Sequence, residues 1–362
     1  MYNLTDRATE AGIKENAAYQ LFCGYQVVEK WHCPDHTKIE SFRTRPSPET
    51  QQQLANLLCS NAVHLGLASA ADVDIDSTVQ EANMTYPTDA KMLRKLGTIA
   101  FNVASAVKKL FPTMTAASDL VVDIKSIASK ARSYFFLPKK TSNEEKSRIL
   151  SGLFDAVSEP VRRITDLCEK ITSMDLAALP WNVRRSITQL LTHGESYLLS
   201  AQSFINTGKA EATKRLSFHL DQVACFNKKK AHKKYEFGRA FQLGRISNNF
   251  LFVGQSKDVR MDDKKSFIPM IDQHEELFGK NTLKSIATDK GYYSKRNIKA
   301  MVKRKITQIG IQIPGNTQNE NITSSVEELE KLSNRRAGIE PLIGHAKQGG
   351  QLGRSREPRQ TI

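Results

Sequence analysis

Ala71-Asp72-Val73-Asp74-Ile75-Asp76-Ser77-Thr78-Val79 is where the chain changes its period. Before it, Leu54, Leu58, Ala62 and Leu65 recur at helical spacing, Ser47-Pro48-Glu49 supplies a helix start, and Gly66 a stop. Here the repeat becomes two. That predicts a β-strand with Asp72, Asp74 and Asp76 on one face and Val73 and Ile75 on the other. Three carboxylates on one face repel one another, so such a strand gains from a cation or from solvent. An exposed edge strand would carry the same pattern.

Working outward, the helical pattern returns. A turn at 83–89 leads to a helix capped by Thr88, in which Met92, Leu96, Ile99, Val103, Val107 and Leu110 hold a 3.6 period. The helical reading continues through Asn227, with breaks at Pro138, Pro160, Pro180 and Gly208. Lys228-Lys229-Lys230-Ala231-His232-Lys233-Lys234 ends this block and is the most basic run in the chain, suited to a phosphate backbone, although a solvated linker would look the same. Strand character reappears at 235–243 and 249–254, as in a hairpin. A helix at 261–278, a short buried strand at 283–289 ending in Asp289, a helix at 297–302, a strand at 306–311 and a helix from 324 onward complete the order. The expected fold is α/β, a mixed sheet flanked by helices and interrupted by a large all-helical insertion. The expected segments are a helical N-terminal region at 1–66, a first α/β part at 67–89, the insertion at 90–227, and a second α/β part at 228–362.

Composition narrows the partner. Against 38 Asp and Glu stand 53 Lys and Arg, a formal charge of +15 and a pI of about 9.5, which suits a polyanion and makes nucleic acid the leading candidate. The five cysteines are scattered and odd in number, which favours a reducing compartment over a disulfide framework. Trp31-His32-Cys33-Pro34-Asp35-His36 clusters possible zinc ligands, but no second cluster completes a site, so these residues read as structural. The start lacks the apolar core of a signal peptide, and no apolar run is long enough to span a bilayer, so a cytoplasmic protein without a membrane partner is expected.

Three acids are candidates for chemistry. Asp76 and Asp289 lie on predicted strands, and Glu340 on the last helix, where Arg336 precedes it by four residues and Lys347 follows by seven, so all three side chains share one stripe. A surface helix with ordinary charge pairs would show the same spacing. Catalytic groups in α/β folds gather at strand ends. Three converging carboxylates need cations to stay ionised, which implies Mg²⁺ or Mn²⁺. Two such ions, about 3.5–4 Å apart, support in-line attack on phosphorus.

The motifs resemble a family. Asp76-Ser77-Thr78-Val79-Gln80-Glu81 with Tyr86-Pro87-Thr88-Asp89, then Asp289-Lys290-Gly291-Tyr292-Tyr293-Ser294 with Asn297, then Arg336, Glu340 and Lys347 at the spacing Arg-x₃-Glu-x₆-Lys are similar, in this order, to the bacterial insertion-sequence transposases of the DDE superfamily. Ser333 stands where that family's Tyr-Arg-Glu-Lys signature has Tyr. The resemblance runs from about residue 20 to Arg356. It implies an RNase H-like catalytic domain with Asp76, Asp289 and Glu340 as catalytic, metal-binding residues, Asp74 being a rival on the same strand face. Arg336 and Lys347 are implied as DNA contacts, joined on charge by Lys228, Lys229, Lys230, Lys233 and Lys234. It further implies Mg²⁺ or Mn²⁺ as cofactor, double-stranded DNA (terminal inverted repeats and target) as partner, a homodimer in the synaptic complex, and association with the bacterial nucleoid. The activity implied is cleavage at the ends of a mobile element and transfer of the 3′-hydroxyl ends to target DNA. Glu357-Pro358-Arg359-Gln360-Thr361-Ile362 departs from the family, so a truncated, catalytically inactive DNA-binding remnant is the alternative, and a general nuclease of the same fold a further one.

Overall fold

In a computed structural model, residues 4–25, 32–111, 119–138, 140–170, 179–211, 214–220, 222–227, 234–254, 262–311 and 325–350 are described, with 177, 313 and 352–354. Lys228, Lys229, Lys230, Lys233 and the 357–362 segment lie outside them.

Among the described residues, six strands form one sheet: β1 (Asp72–Glu81), β2 (Ala224–Asn227), β3 (Tyr235–Arg245), β4 (Leu251–Val253), β5 (Ser285–Thr288) and β6 (Gln308–Ile311). Their order is β2-β3-β1-β5-β6, with β4 beside the end of β3. The edge-strand reading of the opening stretch is therefore corrected, since β1 is central. It pairs antiparallel with β3 and parallel with β5, and β5 runs parallel to β6. Central position explains why Val73, Ile75 and Asp74 are all buried. A strand covered on both faces needs apolar or fully paired residues on both.

The helical reading through Asn227 is also corrected. Ala224–Asn227 is the edge strand β2, which four residues of mixed character do not signal. The chain leaves the sheet after β1, runs through helices, and returns at β2. Those helices are α5 (Asp89–Leu110), α6 (Ile124–Phe135), α7 (Asn143–Glu169) and α8 (Trp181–Thr207), preceded in the chain by α1 (Asp6–Glu15), α2 (Ala17–Phe22), α3 (His36–Thr44) and α4 (Pro48–His64). Residues 84–223 form one compact unit, and 1–83 with 224–357 another. The first packs Leu93, Leu96, Ile127, Leu150, Leu153, Ile164, Leu190 and Leu198 into a core of its own. Pro160 does not end α7 as expected, and the helix passes through it. Packing of both flanks makes up for one lost hydrogen bond.

In the sheet-bearing unit, α9 (Asp263–Phe278), α10 (Lys295–Lys303), α11 (Val326–Ala337) and α12 (Ile339–Gln348) follow. Val73 and Ile75 point into a core with Phe252, Phe267, Ile271, Ile286, Tyr292, Ile298 and Met301. Alternation sends Asp74 and Asp76 to the other face, where α11 lies. The single helix expected from 324 onward is two, meeting at Gly338. Pro341 cannot donate a helical hydrogen bond, which favours a break there. A Cβ on Gly338 would collide with the Arg245 guanidinium, so this close approach requires glycine.

Candidate active site

Asp74 is 3% exposed and is held by two arginines. Arg245 Nε donates to it at 3.0 Å and Arg335 Nε at 2.8 Å, while Arg335 Nη1 reaches Asp72 at 3.0 Å and the Ser285 hydroxyl at 2.8 Å. The charge on this strand face is thus neutralised from within the protein. Arg335 belongs to α11 and Arg245 to β3, so the ion pairs also dock the last helices on the sheet.

Asp76 sits two residues on. Its side chain is 14% exposed, its Oδ1 accepts from the Ser77 N–H at 2.7 Å, and its Oδ2 accepts from Arg336 Nη2 at 2.8 Å. Consecutive arginines on the helix thus engage alternate aspartates on the strand. Asp289 follows β5 and caps a 3₁₀ turn at Lys290–Tyr292, its Oδ1 accepting from the Gly291 N–H at 2.8 Å. The parallel register ends at Ile75 and Thr288, the residues just before Asp76 and Asp289, and the Asp289 charge lies near enough to act on Asp76. Burial pushes the Asp76 carboxyl above its ordinary range. Arg336 opposes the rise, and the Asp289 charge adds to it.

Glu340, in the first turn of α12, is 60% exposed and lies 3.1 Å from Arg336 Nη1. One guanidinium therefore spans Asp76 and Glu340. Its Nε is buried with no hydrogen-bond partner. Among the described residues, no three His, Cys, Asp or Glu side chains stand close enough together to hold an ion. Glu340 shares Arg336 with Asp76 and does not share a point with both aspartates. For a hard divalent ion, the fit rests on Asp76 and Asp289: oxygen donors in the middle of β1 and just after β5, partly buried and mutually repelling, where a cation is favoured.

The other expected residues are placed as follows. Lys347 is half-buried in the last turn of α12. Lys234 is exposed, its ammonium 5.4 Å from the Tyr235 ring centre. Ser333 is half-buried on α11. Asp89, part of the Tyr86-Pro87-Thr88-Asp89 motif, is buried in the helical unit, paired with Lys214 and accepting from the Tyr197 hydroxyl at 3.2 Å. Sequence reasoning passed over Arg335, Arg245, Gln242 and Asp263 as site residues, and marked Asn297 only as part of the Asp289 motif. The Arg335-Arg336 doublet was a usable signal for the first. Nothing local marks Gln242.

A mixed sheet whose central strand and parallel neighbour place aspartates side by side, with an Arg-x₃-Glu segment laid against them, agrees with an RNase H-like domain of the DDE class. Residues 214–360 match the family model described as the transposase DDE domain, and residues 1–45 match that of a transposase domain (DUF772). The chain belongs to the insertion-sequence DDE transposases. It is 26% identical over 98 residues to the uncharacterized protein ORF8 in the nfe locus of Rhizobium meliloti, covering 26% of this chain and 47% of that protein. The chain thus spans about half the length of that curated relative. No solved structure matches the chain at a comparable level. Among the described residues, no helix is long and apolar enough to cross a membrane.

Proposed function

We propose that the protein is a metal-dependent DNA transposase that cuts at the terminal inverted repeats of a mobile element and joins the freed 3′-hydroxyl ends to target DNA. The observation that carries this reading is that Asp76 and Asp289 follow the last register pair of two neighbouring parallel strands, close enough for the Asp289 charge to act on Asp76, with Arg336 joining Asp76 to Glu340. Asp76 and Asp289 would hold Mg²⁺ or Mn²⁺, with Glu340 free to turn toward them from its exposed position. A bound ion of this kind lowers the pKa of an attacking water or hydroxyl and stabilises the leaving oxygen. The chain itself contributes positioning. Arg336 opposes the rise that burial imposes on the Asp76 carboxyl and offers a planar cation for a phosphodiester, and Lys347, seven residues after Glu340, adds a second charge. Lys228, Lys229, Lys230, Lys233 and Lys234 extend the attraction along the backbone in a sequence-independent way. Double-stranded DNA is the partner, bound by a homodimer at the synapsis of two ends.

The test is cleavage of DNA with and without the element's terminal repeats by the purified chain in Mg²⁺. Strand-specific nicking confined to the repeats is expected. DNA binding without metal-dependent nicking would identify a catalytically inactive remnant, and nicking indifferent to the repeats a general nuclease.

A further inference from the structure

Asp76 and Asp289 belong to segments far apart in sequence, yet their separation has to be held closely if one ion is to bridge them. Main-chain pairing alone does not fix it, because β5 ends at Thr288 and Asp289 already sits in a turn. What ties that turn down is a buried polar network. Tyr292, fully buried, donates its hydroxyl to Gln242 Oε1. Gln242 is 1% exposed, stands opposite Ser77 in the β1–β3 register, and donates from Nε2 to Asp263 Oδ1 at 2.9 Å. Ser77, the residue after Asp76, is also within hydrogen-bonding reach of the Tyr292 hydroxyl. From the other side, buried Asn297 donates to the Tyr292 carbonyl at 2.8 Å and to the Lys264 carbonyl at 3.0 Å. A side chain anchored on β3 therefore grips the residue three after Asp289, while its register partner follows Asp76. Gly291, within this turn, is where the carboxylates of Asp289 and Asp263 approach: a Cβ there would lie 3.0 Å from one and 3.2 Å from the other.

We propose that Gln242 is a positioning residue that sets the spacing of Asp76 and Asp289, acting through Tyr292 and oriented by Asp263. A leucine would fill the same space in a packed core at less polar cost, so a buried amide with both ends used signals a geometric task. Glutamine is the residue that accepts from a phenol and donates to a carboxylate at once. The proposal rests on the reading of the two aspartates as the ion-holding pair.

The experiment is calorimetric titration of the full chain with Mn²⁺, alongside thermal melts. Tyr292→Phe deletes one oxygen and keeps the ring in the core. Gln242→Glu keeps the acceptor for Tyr292 but sets a second carboxylate against Asp263. Each is expected to weaken Mn²⁺ binding about tenfold, the usual range for groups that orient ligands. Adding Asp263→Asn to Gln242→Glu restores a donor opposite the new carboxylate, so the double variant is expected to regain wild-type affinity, a rescue that general loosening of the core would not produce. If Gln242→Glu fails to fold, Tyr292→Phe still decides. Wild-type affinity in Tyr292→Phe, or a double variant no better than Gln242→Glu, overturns the positioning role. A wild-type chain that binds no Mn²⁺, or binds it as well after Asp76→Asn, overturns the reading of the site and the inference with it.

Discussion

Asp74 and Asp76 differ by one strand repeat and by everything around them. Both point to the face of the sheet where α11 lies, and in the sequence only the Asp-Ser-Thr context selects Asp76 over its rival. The structure separates them by partners: Asp74 has two arginines, one from β3 and one from α11, and Asp76 has one, shared with Glu340. Breaking a buried pair leaves charge uncompensated, so Asp74→Ala is expected to lower the unfolding free energy by about 3–5 kcal/mol in urea melts. Asp76→Asn should do the reverse at neutral pH. Burial raises the folded carboxyl above its unfolded value of 3.8, so ionisation costs the fold nothing below that value and its full amount above the folded one. The variant is expected to melt above wild type at pH 7, with the gap closing as the pH falls from the raised folded value toward 3.8. An unchanged melting temperature at pH 7 would contradict this environment for Asp76.

Elements were legible where their pattern was long or two-periodic. β1, β3 and the helix from Asp89 announce themselves by spacing, and the hairpin of β3 with β4 was readable from its strands. Short pieces were not. β2 has four residues and is a strand only because β3 offers it an edge. At the break between α11 and α12, Arg245 donates to the Arg335 carbonyl and lies against Gly338, and the first of these contacts spans 90 residues of sequence that no local pattern records. The carboxylates and Arg336 were legible as candidates, whereas Arg335, Arg245 and the amides were not, because their task is defined by partners distant in the chain. His274 on α9 is a similar case: fully buried, its Nε2 2.8 Å from the Ala70 carbonyl, its pKa lowered by burial from 6.5 to about 4. A base with a depressed folded pKa contributes stability that is whole above 6.5 and lost as pH falls toward 4, about 3 kcal/mol in all. His274→Leu is expected to flatten the stability profile between pH 6.5 and 4 relative to wild type. A variant with the wild-type slope would show that another group titrates there.

For the whole molecule, the excess of basic residues and the acidic pair make opposite demands. A formal charge of +15 suits a polyanion, and under the proposed function the aspartates would admit it to the reacting point only with cations beside them. Binding to DNA without chemistry is therefore expected to fall steeply with salt, the logarithm of affinity declining linearly with that of salt concentration. A salt-independent affinity would remove the electrostatic part of the account. The most direct measurement compares wild type with Asp289→Asn on DNA carrying the element's ends, reading DNA binding by gel shift and nicking in Mg²⁺ on the same preparations. Equal binding with nicking reduced to background is predicted. Nicking at the wild-type rate in Asp289→Asn would contradict the claim that Asp76 and Asp289 are the reacting centre.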